Sequence, residues 1–151
     1  MKNLAPGIRQ YEEAISHGGL RFTPQRRRVF DVLLEERDHP TATEVFQRAK
    51  VGMPSISLAT VYNCLETLVD CGLVRQVHID REPTRYCANL HEHGHFICSD
   101  CGSVTDVELR SHASPNPERS WWKLPPGYTV TSVEVTLRGH CPHCQNSSLP
   151  D

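Results

Sequence analysis

Apolar positions in the first half of the chain recur at helical spacing in three stretches, each opened and closed by recognisable signals. Thr23-Pro24 reads as a helix start, with Thr as N-cap and Pro in the first helical position. Val29, Phe30, Leu33 and Leu34 follow on one face, and His39-Pro40 ends the run, because a residue before proline is pushed out of the helical region. Thr41-Ala42-Thr43-Glu44 has the form of a capping box, with Val45, Phe46 and Ala49 as the buried face behind it and a break at Met53-Pro54. The third helix is predicted from about Ser57 to Cys71, with Gly72 at its C′ position. Val61, Leu65, Leu68 and Cys71 form its apolar face with Cys64 beside them, so both cysteines are expected in the core.

After Gly72 the period changes. Leu73–Ile79 and Thr84–Cys87 read as two strands around Asp80-Arg81-Glu82-Pro83, a β-hairpin. Three short helices followed by a hairpin outline a winged helix-turn-helix, in which the third helix enters the DNA major groove and the hairpin reaches the backbone. Beyond Asn89, His95–Cys98 and Val104–Val107 look like strands, and Val133, Val135 and Leu137 alternate with polar residues in a third. The intervening Ser111–Pro126, with four prolines, predicts a loop with at most a short helix near Glu118–Lys123; Asn146–Asp151 reads as a frayed tail. The expectation is an α+β chain of two domains, residues 1–87 and 88–151.

The composition is that of an ordinary globular protein, with 151 residues, 38% hydrophobic and 23% charged. A net charge of −2 argues against nonspecific nucleic-acid binding, but the charge is uneven. Residues 1–86 carry 12 Lys/Arg against 11 Asp/Glu, residues 87–151 only 4 against 7, so a polyanion should meet the first half. The cluster Arg26-Arg27-Arg28 is by itself better read as a solvated helix face. The N-terminal MKNLAPGIRQYEE has no apolar run, which predicts neither a signal peptide nor a membrane span and a cytoplasmic protein with reduced thiols.

Seven cysteines and nine histidines change the picture, because an odd count rules out a full set of internal disulfides and metal becomes the natural expectation. Cys98-Ser99-Asp100-Cys101 and Cys141-Pro142-His143-Cys144 are two Cys-x-x-Cys knuckles. Together they supply four thiolates to one tetrahedral ion, leave no open coordination position, and so predict structural zinc. The 39-residue gap between them exceeds that of a compact zinc ribbon, so a small domain must lie between. A thiol oxidoreductase is the competing reading of Cys-Pro-His-Cys, but too little chain follows Cys144 for a thioredoxin-like helix and sheet. A nucleobase deaminase matches only superficially, through His91-Glu92-His93. His91, His93 and His95 alternate and, in an extended segment, share a face. Three in register beside Cys87 and ahead of a knuckle favour metal over a solvated strand end.

These segments together resemble a known family. Leu20-Arg21-Phe22-Thr23-Pro24-Gln25-Arg26 is similar to the opening of ferric uptake regulator (Fur) repressors, and Ile56-Ser57-Leu58-Ala59-Thr60-Val61-Tyr62-Asn63 to their recognition helix. His39-Pro40-Thr41-Ala42, His93-x-His95, Cys98-x-x-Cys101-Gly102 and the C-terminal knuckle follow in the same order, so the likeness spans about residues 18–145.

The resemblance implies a winged-helix domain, a hinge and a C-terminal α/β dimerisation domain holding structural zinc on Cys98, Cys101, Cys141 and Cys144. It implies a regulatory metal site of His39, Cys87, His93, His95 and Asp106. DNA contacts are expected from Arg21, Ser57, Thr60, Tyr62 and Asn63. The protein is then a homodimeric repressor, with a palindromic double-stranded DNA operator as its partner, no small-molecule substrate, no membrane association and no enzymatic activity. Cys87 stands where iron- and peroxide-sensing members have a carboxylate, and a soft thiolate with two imidazoles favours zinc over iron or manganese. His39 argues the other way, since it resembles the ligand of those members; His78 and His91 are weaker candidate ligands. Gly94 and Val133 occupy positions that supply an accessory metal site in many relatives, and no such site is expected here. The proline-rich Ser111–Pro126 replaces what is usually a longer helix. The alternatives are an iron-, manganese- or peroxide-sensing repressor of the same type, and a metal-independent DNA-binding protein with structural zinc only.

Overall fold

A computed structural model describes residues 6–108 and 124–147. The chain divides between Leu90 and His91 into two compact units, three residues beyond the boundary expected from sequence.

The first unit contains four helices and a hairpin: α1 (Pro6–Ser16), α2 (Pro24–Glu35), α3 (Ala42–Gly52), α4 (Leu58–Asp70), β1 (Arg75–Val77) and β2 (Arg85–Cys87). The start signals act as the sequence indicated. The Thr23 side chain accepts from the Arg26 N–H, and the Thr41–Glu44 capping box closes in both directions. Ser57 caps α4 by accepting from the Thr60 N–H, and Gly72 follows it at φ +70°, a left-handed conformation that costs glycine little. Val29, Phe30 and Leu33 of α2, Val45 and Ala49 of α3 and Val61, Leu65 and Leu68 of α4 fill one core. Burying each larger aliphatic contributes about 1.5–3 kcal/mol.

Helix α1 was not expected. Its Tyr11 is fully buried and stacks on Phe30 with ring centroids 5.1 Å apart, under the Arg27 guanidinium. Tyr11 anchors the helix, and Ala14 and Ile15, at i+3 and i+4, pack beside it against the core. The arginine cluster is not a solvated face either. Arg27 pairs with Asp31, and Arg28 donates to the carbonyls of Arg48 and Ala49, closing the C-terminal end of α3. Cys64 is buried as expected, but Cys71 is only half-buried, its thiol donating to the Gly19 carbonyl. The strands of the hairpin are shorter than predicted and antiparallel, with Gln76 opposite Tyr86.

The second unit is a three-stranded sheet ordered β4-β3-β5, followed by a short helix. β3 (His93–Cys98) runs antiparallel to β4 (Val104–Glu108) and parallel to β5 (Thr136–Gly139). The third strand begins later than the Val133–Leu137 alternation suggested. Val133 lies outside it and both Val133 and Leu137 are about half exposed, so that face is uncovered within the unit. The expected frayed tail instead starts as α5 (Pro142–Ser147), which Pro142 can open because its first-turn position needs no N–H donor. The helix anticipated near Glu118–Lys123, and most of the proline-rich segment, lie outside the described residues. Among the described residues no helix is long and apolar enough to cross a membrane.

Candidate metal centres and nucleic-acid interface

The sheet register explains how the two knuckles meet. Cys98 at the end of β3 pairs with Gly139 at the end of β5, and the Ser99 N–H donates to the Gly139 carbonyl. Parallel pairing thus sends both chains out at the same end of the sheet, each into its Cys-x-x-Cys. The four sulfurs of Cys98, Cys101, Cys141 and Cys144 all lie within 4.8 Å of one another, and Cys101 and Cys141 Sγ are 3.9 Å apart. Tetrahedral thiolates at the usual zinc–sulfur distance stand about 3.8 Å apart, so the cluster has the size of a four-sulfur zinc site.

Charge points the same way. Backbone N–H groups of Cys101 and then Cys141 aim at Cys98 and bring its thiol down to about 6; the Cys141 N–H lies 3.3 Å from the sulfur. The Ser103 hydroxyl, 3.2 Å from Cys101 Sγ, lowers that thiol as well. Cys144 is pushed up to about 12, chiefly by its hydrogen bond with Cys141 and then by burial. The protein groups alone therefore stabilise part of the negative charge but not four thiolates at once. A divalent cation would supply what is missing. His140 and Asp100, one residue before Cys141 and Cys101, join the knuckles through a 2.8 Å hydrogen bond between Nδ1 and Oδ2.

The other candidate ligands form a prepared set within each unit. In the second unit, β3 alternation puts His93 and His95 on one face, and antiparallel register sets Asp106 of β4 opposite His95. The two Nε2 atoms are 3.1 Å apart, and Asp106 Oδ1 lies 3.4 Å from His93 Nε2 and 3.6 Å from His95 Nε2. His93 Nδ1 lies 2.6 Å from the His91 carbonyl, which fixes Nδ1 as the protonated nitrogen and leaves the Nε2 lone pair toward His95 and Asp106. His91 itself precedes the strand and contributes its backbone here.

In the first unit, His39 is buried at φ +56°, a conformation that costs a non-glycine residue about 1–2 kcal/mol. The neighbouring contacts hold it there. Thr41 bridges Arg85 of β2 in antiparallel fashion, and the Tyr86 N–H donates to the Pro40 carbonyl. Continuing that register brings Cys87 opposite His39, and their ligand atoms lie within 4.8 Å of each other. His78 is elsewhere on the hairpin, its Nδ1 3.3 Å from the Thr84 hydroxyl.

The expected DNA-contacting residues are distributed unevenly. Arg21, Ser57, Tyr62 and Asn63 are exposed, and Thr60 is half-buried. Ser57 and Thr60 hydroxyls lie 2.8 Å apart and cap α4, so they are partly committed to the helix. The Arg21 carbonyl accepts from the Arg26 guanidinium, which braces the turn before α2. One residue of this surface, Leu58, was missed from sequence. Leu58 is 37% and Tyr62 50% exposed, an apolar pair one helical turn apart on α4. Periodicity could not have found it, because Leu58 is in phase with Val61, Leu65 and Leu68 and is exposed as the first residue of the helix. An exposed apolar pair at a helix N-terminal turn suits thymine methyl groups.

Comparison with known proteins agrees with these features. The chain is 31% identical over 140 residues to the peroxide-responsive repressor PerR of Staphylococcus aureus, covering 91% of this chain and 93% of that protein. The structure of the Campylobacter jejuni peroxide stress regulator superposes with a TM-score of 0.66 at 26% identity, covering 93% of this chain and all of that one. The Helicobacter pylori ferric uptake regulator Fur, reported with three functional metal binding sites, shares the fold at a TM-score of 0.74 and 23% identity, over 99% of this chain and 100% of that one. Residues 17–136 match the sequence profile of the Ferric uptake regulator family. With its winged helix, its four-cysteine cluster and this match, the chain belongs to the ferric uptake regulator family of transcriptional regulators, and is not an enzyme.

Proposed function

We propose that the protein is a homodimeric, metal-responsive repressor acting in the cytoplasm on a palindromic DNA operator. Structural zinc sits on Cys98, Cys101, Cys141 and Cys144. A regulatory divalent metal binds His39, Cys87, His93, His95 and Asp106 and promotes operator binding. The observation that carries this reading is the pair of donor sets, His39 with Cys87 in one unit and His93, His95 and Asp106 in the other. Neither set alone fills a coordination sphere. One ion taking both selects a single arrangement of the units, which is the differential affinity that a ligand-driven population shift requires. In a dimer that arrangement sets the separation of the two α4 helices, which must match half-sites about 34 Å apart or a multiple of it.

In DNA binding, α4 lies in the major groove with Tyr62, Asn63, Ser57 and Thr60 toward the bases, while Arg21 meets phosphate or the minor groove. Arg21→Ala then weakens binding to all sequences and lowers the salt slope by about 1. Tyr62→Ala loses discrimination between specific and random duplex, and equal losses on both contradict base readout.

The regulatory metal is proposed to be zinc, because a thiolate with two imidazoles suits a tetrahedral soft-borderline ion. The likeness to peroxide-responsive repressors favours iron or manganese as the second reading, with His39 and Asp106 both engaged. The test uses protein holding only its structural zinc and DNA selected from a random duplex pool. It is titrated with buffered zinc, ferrous iron or manganese. Zinc sensing gives activation at the lowest free zinc concentration and its loss in Cys87→Ala. Activation by iron or manganese with zinc inert overturns the zinc assignment and leaves the repressor assignment standing.

A further inference from the structure

We propose that Arg85 is a positioning residue for the regulatory metal, acting through the backbone of His39; this rests on the reading of His39 and Cys87 as ligands. Arg85 lies in β2, two residues before Cys87, and its Nη1 donates to the His39 carbonyl at 3.1 Å. The same Nη1 stands 3.7 Å from Glu44 Oε2, and that carboxylate accepts the Thr41 N–H at 2.7 Å. The guanidinium is thus held between the carboxylate that closes the α3 capping box and the carbonyl of the one buried histidine in the unit. Its Nε is buried without a hydrogen-bond partner among the described residues, so the side chain gives up hydration to keep its Nη1 contacts.

The need for such a clamp is local. His39 has a left-handed backbone and precedes a proline, two conditions that together make its conformation unfavourable in isolation. Asp38 on one side is fixed by a two-pronged contact with Arg48, at 2.8 and 2.6 Å. Pro40 and Thr41 on the other are fixed by β2. Arg85 supplies the tie at His39 itself. Because the tie runs from β2 to the His39 loop, one strand carries Cys87 and also orients the imidazole opposite it. Filling the metal site then stiffens the wing hairpin through the same residue.

Cobalt(II) titration of the full-length protein, with its structural zinc retained, tests this. Wild type, His39→Ala, Arg85→Met and Arg85→Lys are compared by cobalt affinity and by the visible d–d and thiolate charge-transfer bands. Arg85→Met should bind cobalt about tenfold more weakly, as outer-shell losses do. Its d–d bands should shift toward those of His39→Ala while the Cys87 charge-transfer band persists. Lysine, which keeps a cationic N–H donor on a shorter stem, should restore part of both, and serves alone if the methionine variant does not fold. A purely structural role predicts lower thermal stability with unchanged bands and affinity, and that result overturns the proposal. If wild type takes up no cobalt beyond the structural site, or His39→Ala changes nothing, the underlying metal-site reading fails instead, and the proposal with it.

Discussion

The two units reach a folded state by different means. In the first, buried apolar side chains run through every helix, and each of α2, α3 and α4 is capped by the residue its sequence advertises. In the second, Ile97 and Cys98 are the buried apolar side chains among the described residues, and Val133, Leu137 and Tyr128 are substantially exposed. What gathers β3, β5 and α5 at one end is a set of four sulfurs. A sheet this small cannot offset its conformational entropy by burial alone, so cross-links of another kind are needed. The comparison teaches that hydrophobic burial and the four-cysteine cluster are divided along the chain, the first unit holding the apolar core and the second the four sulfurs.

The strongest way to break that division is to remove one thiol. Cys141→Ser should abolish structural metal binding and unfold or monomerise the second unit, because binding free energy in such sites is folding free energy, on the order of 10 kcal/mol. Metal analysis and sedimentation check it; a dimer of undiminished thermal stability contradicts it. The converse experiment acts on the first unit. Leu65→Ala, at a fully buried α4 position, should cost about 2–5 kcal/mol. The loss should appear in thermal unfolding followed at Tyr11 and Phe30 contacts by NMR, with zinc content unchanged. Smaller in effect, Thr41→Ala removes one half of the capping box and should cost about 1 kcal/mol, again confined to the first unit.

The smallest effect is a pH dependence. The Arg48 guanidinium beside Asp38 holds its carboxyl below the usual range, and the Thr41 N–H does the same for Glu44. Both folded-state values lie under the unfolded ones, so their stabilisation is present above the unfolded values near 3.8 and 4.5. It is lost as pH falls through the folded values. Both groups are largely solvent-screened, which keeps each contribution under about 1 kcal/mol. The melting-temperature gap between wild type and Asp38→Asn should therefore close as pH drops from 6 toward 3 (about the carboxylate range). A gap that widens contradicts the assignment.

The same division governs how much could be read in the sequence. Caps, periodicity and the Gly72 stop gave α3, α4 and the start of α2 within a residue or two, because those signals are local; α2 ends at Glu35, before the His39-Pro40 stop expected for it. Helix α1 was missed although Tyr11, Ala14 and Ile15 stand at helical spacing, because the stretch is short and has no capping signal, and its main partner Phe30 is nineteen positions from Tyr11. The two knuckles identified the cluster, since Cys-x-x-Cys carries its geometry in its spacing, but the Cys98–Gly139 register that joins them is a long-range fact. Likewise His93 and His95 were available as donors from residue type and alternation, whereas Asp106 came only with the family resemblance. The opposition of His39 and Cys87 and the tie from Arg85 to His39 depend on where β2 pairs, which no short-range pattern encodes. Arg28 of the arginine cluster misled for the same reason, its partners including carbonyls of Arg48 and Ala49 about twenty residues distant.

The central claim is that regulatory metal and operator DNA are coupled ligands of one protein. By linkage, if metal tightens operator binding by some factor, operator must tighten metal binding by the same factor. The most direct measurement is therefore the affinity for the regulatory metal, with structural zinc in place, free and then saturated with the selected duplex. The account predicts tighter metal binding on operator DNA, about tenfold or more for a coupling in the usual range, and no change on a random duplex. Equal metal affinity with and without operator would contradict it, leaving a DNA-binding protein whose metal is structural alone.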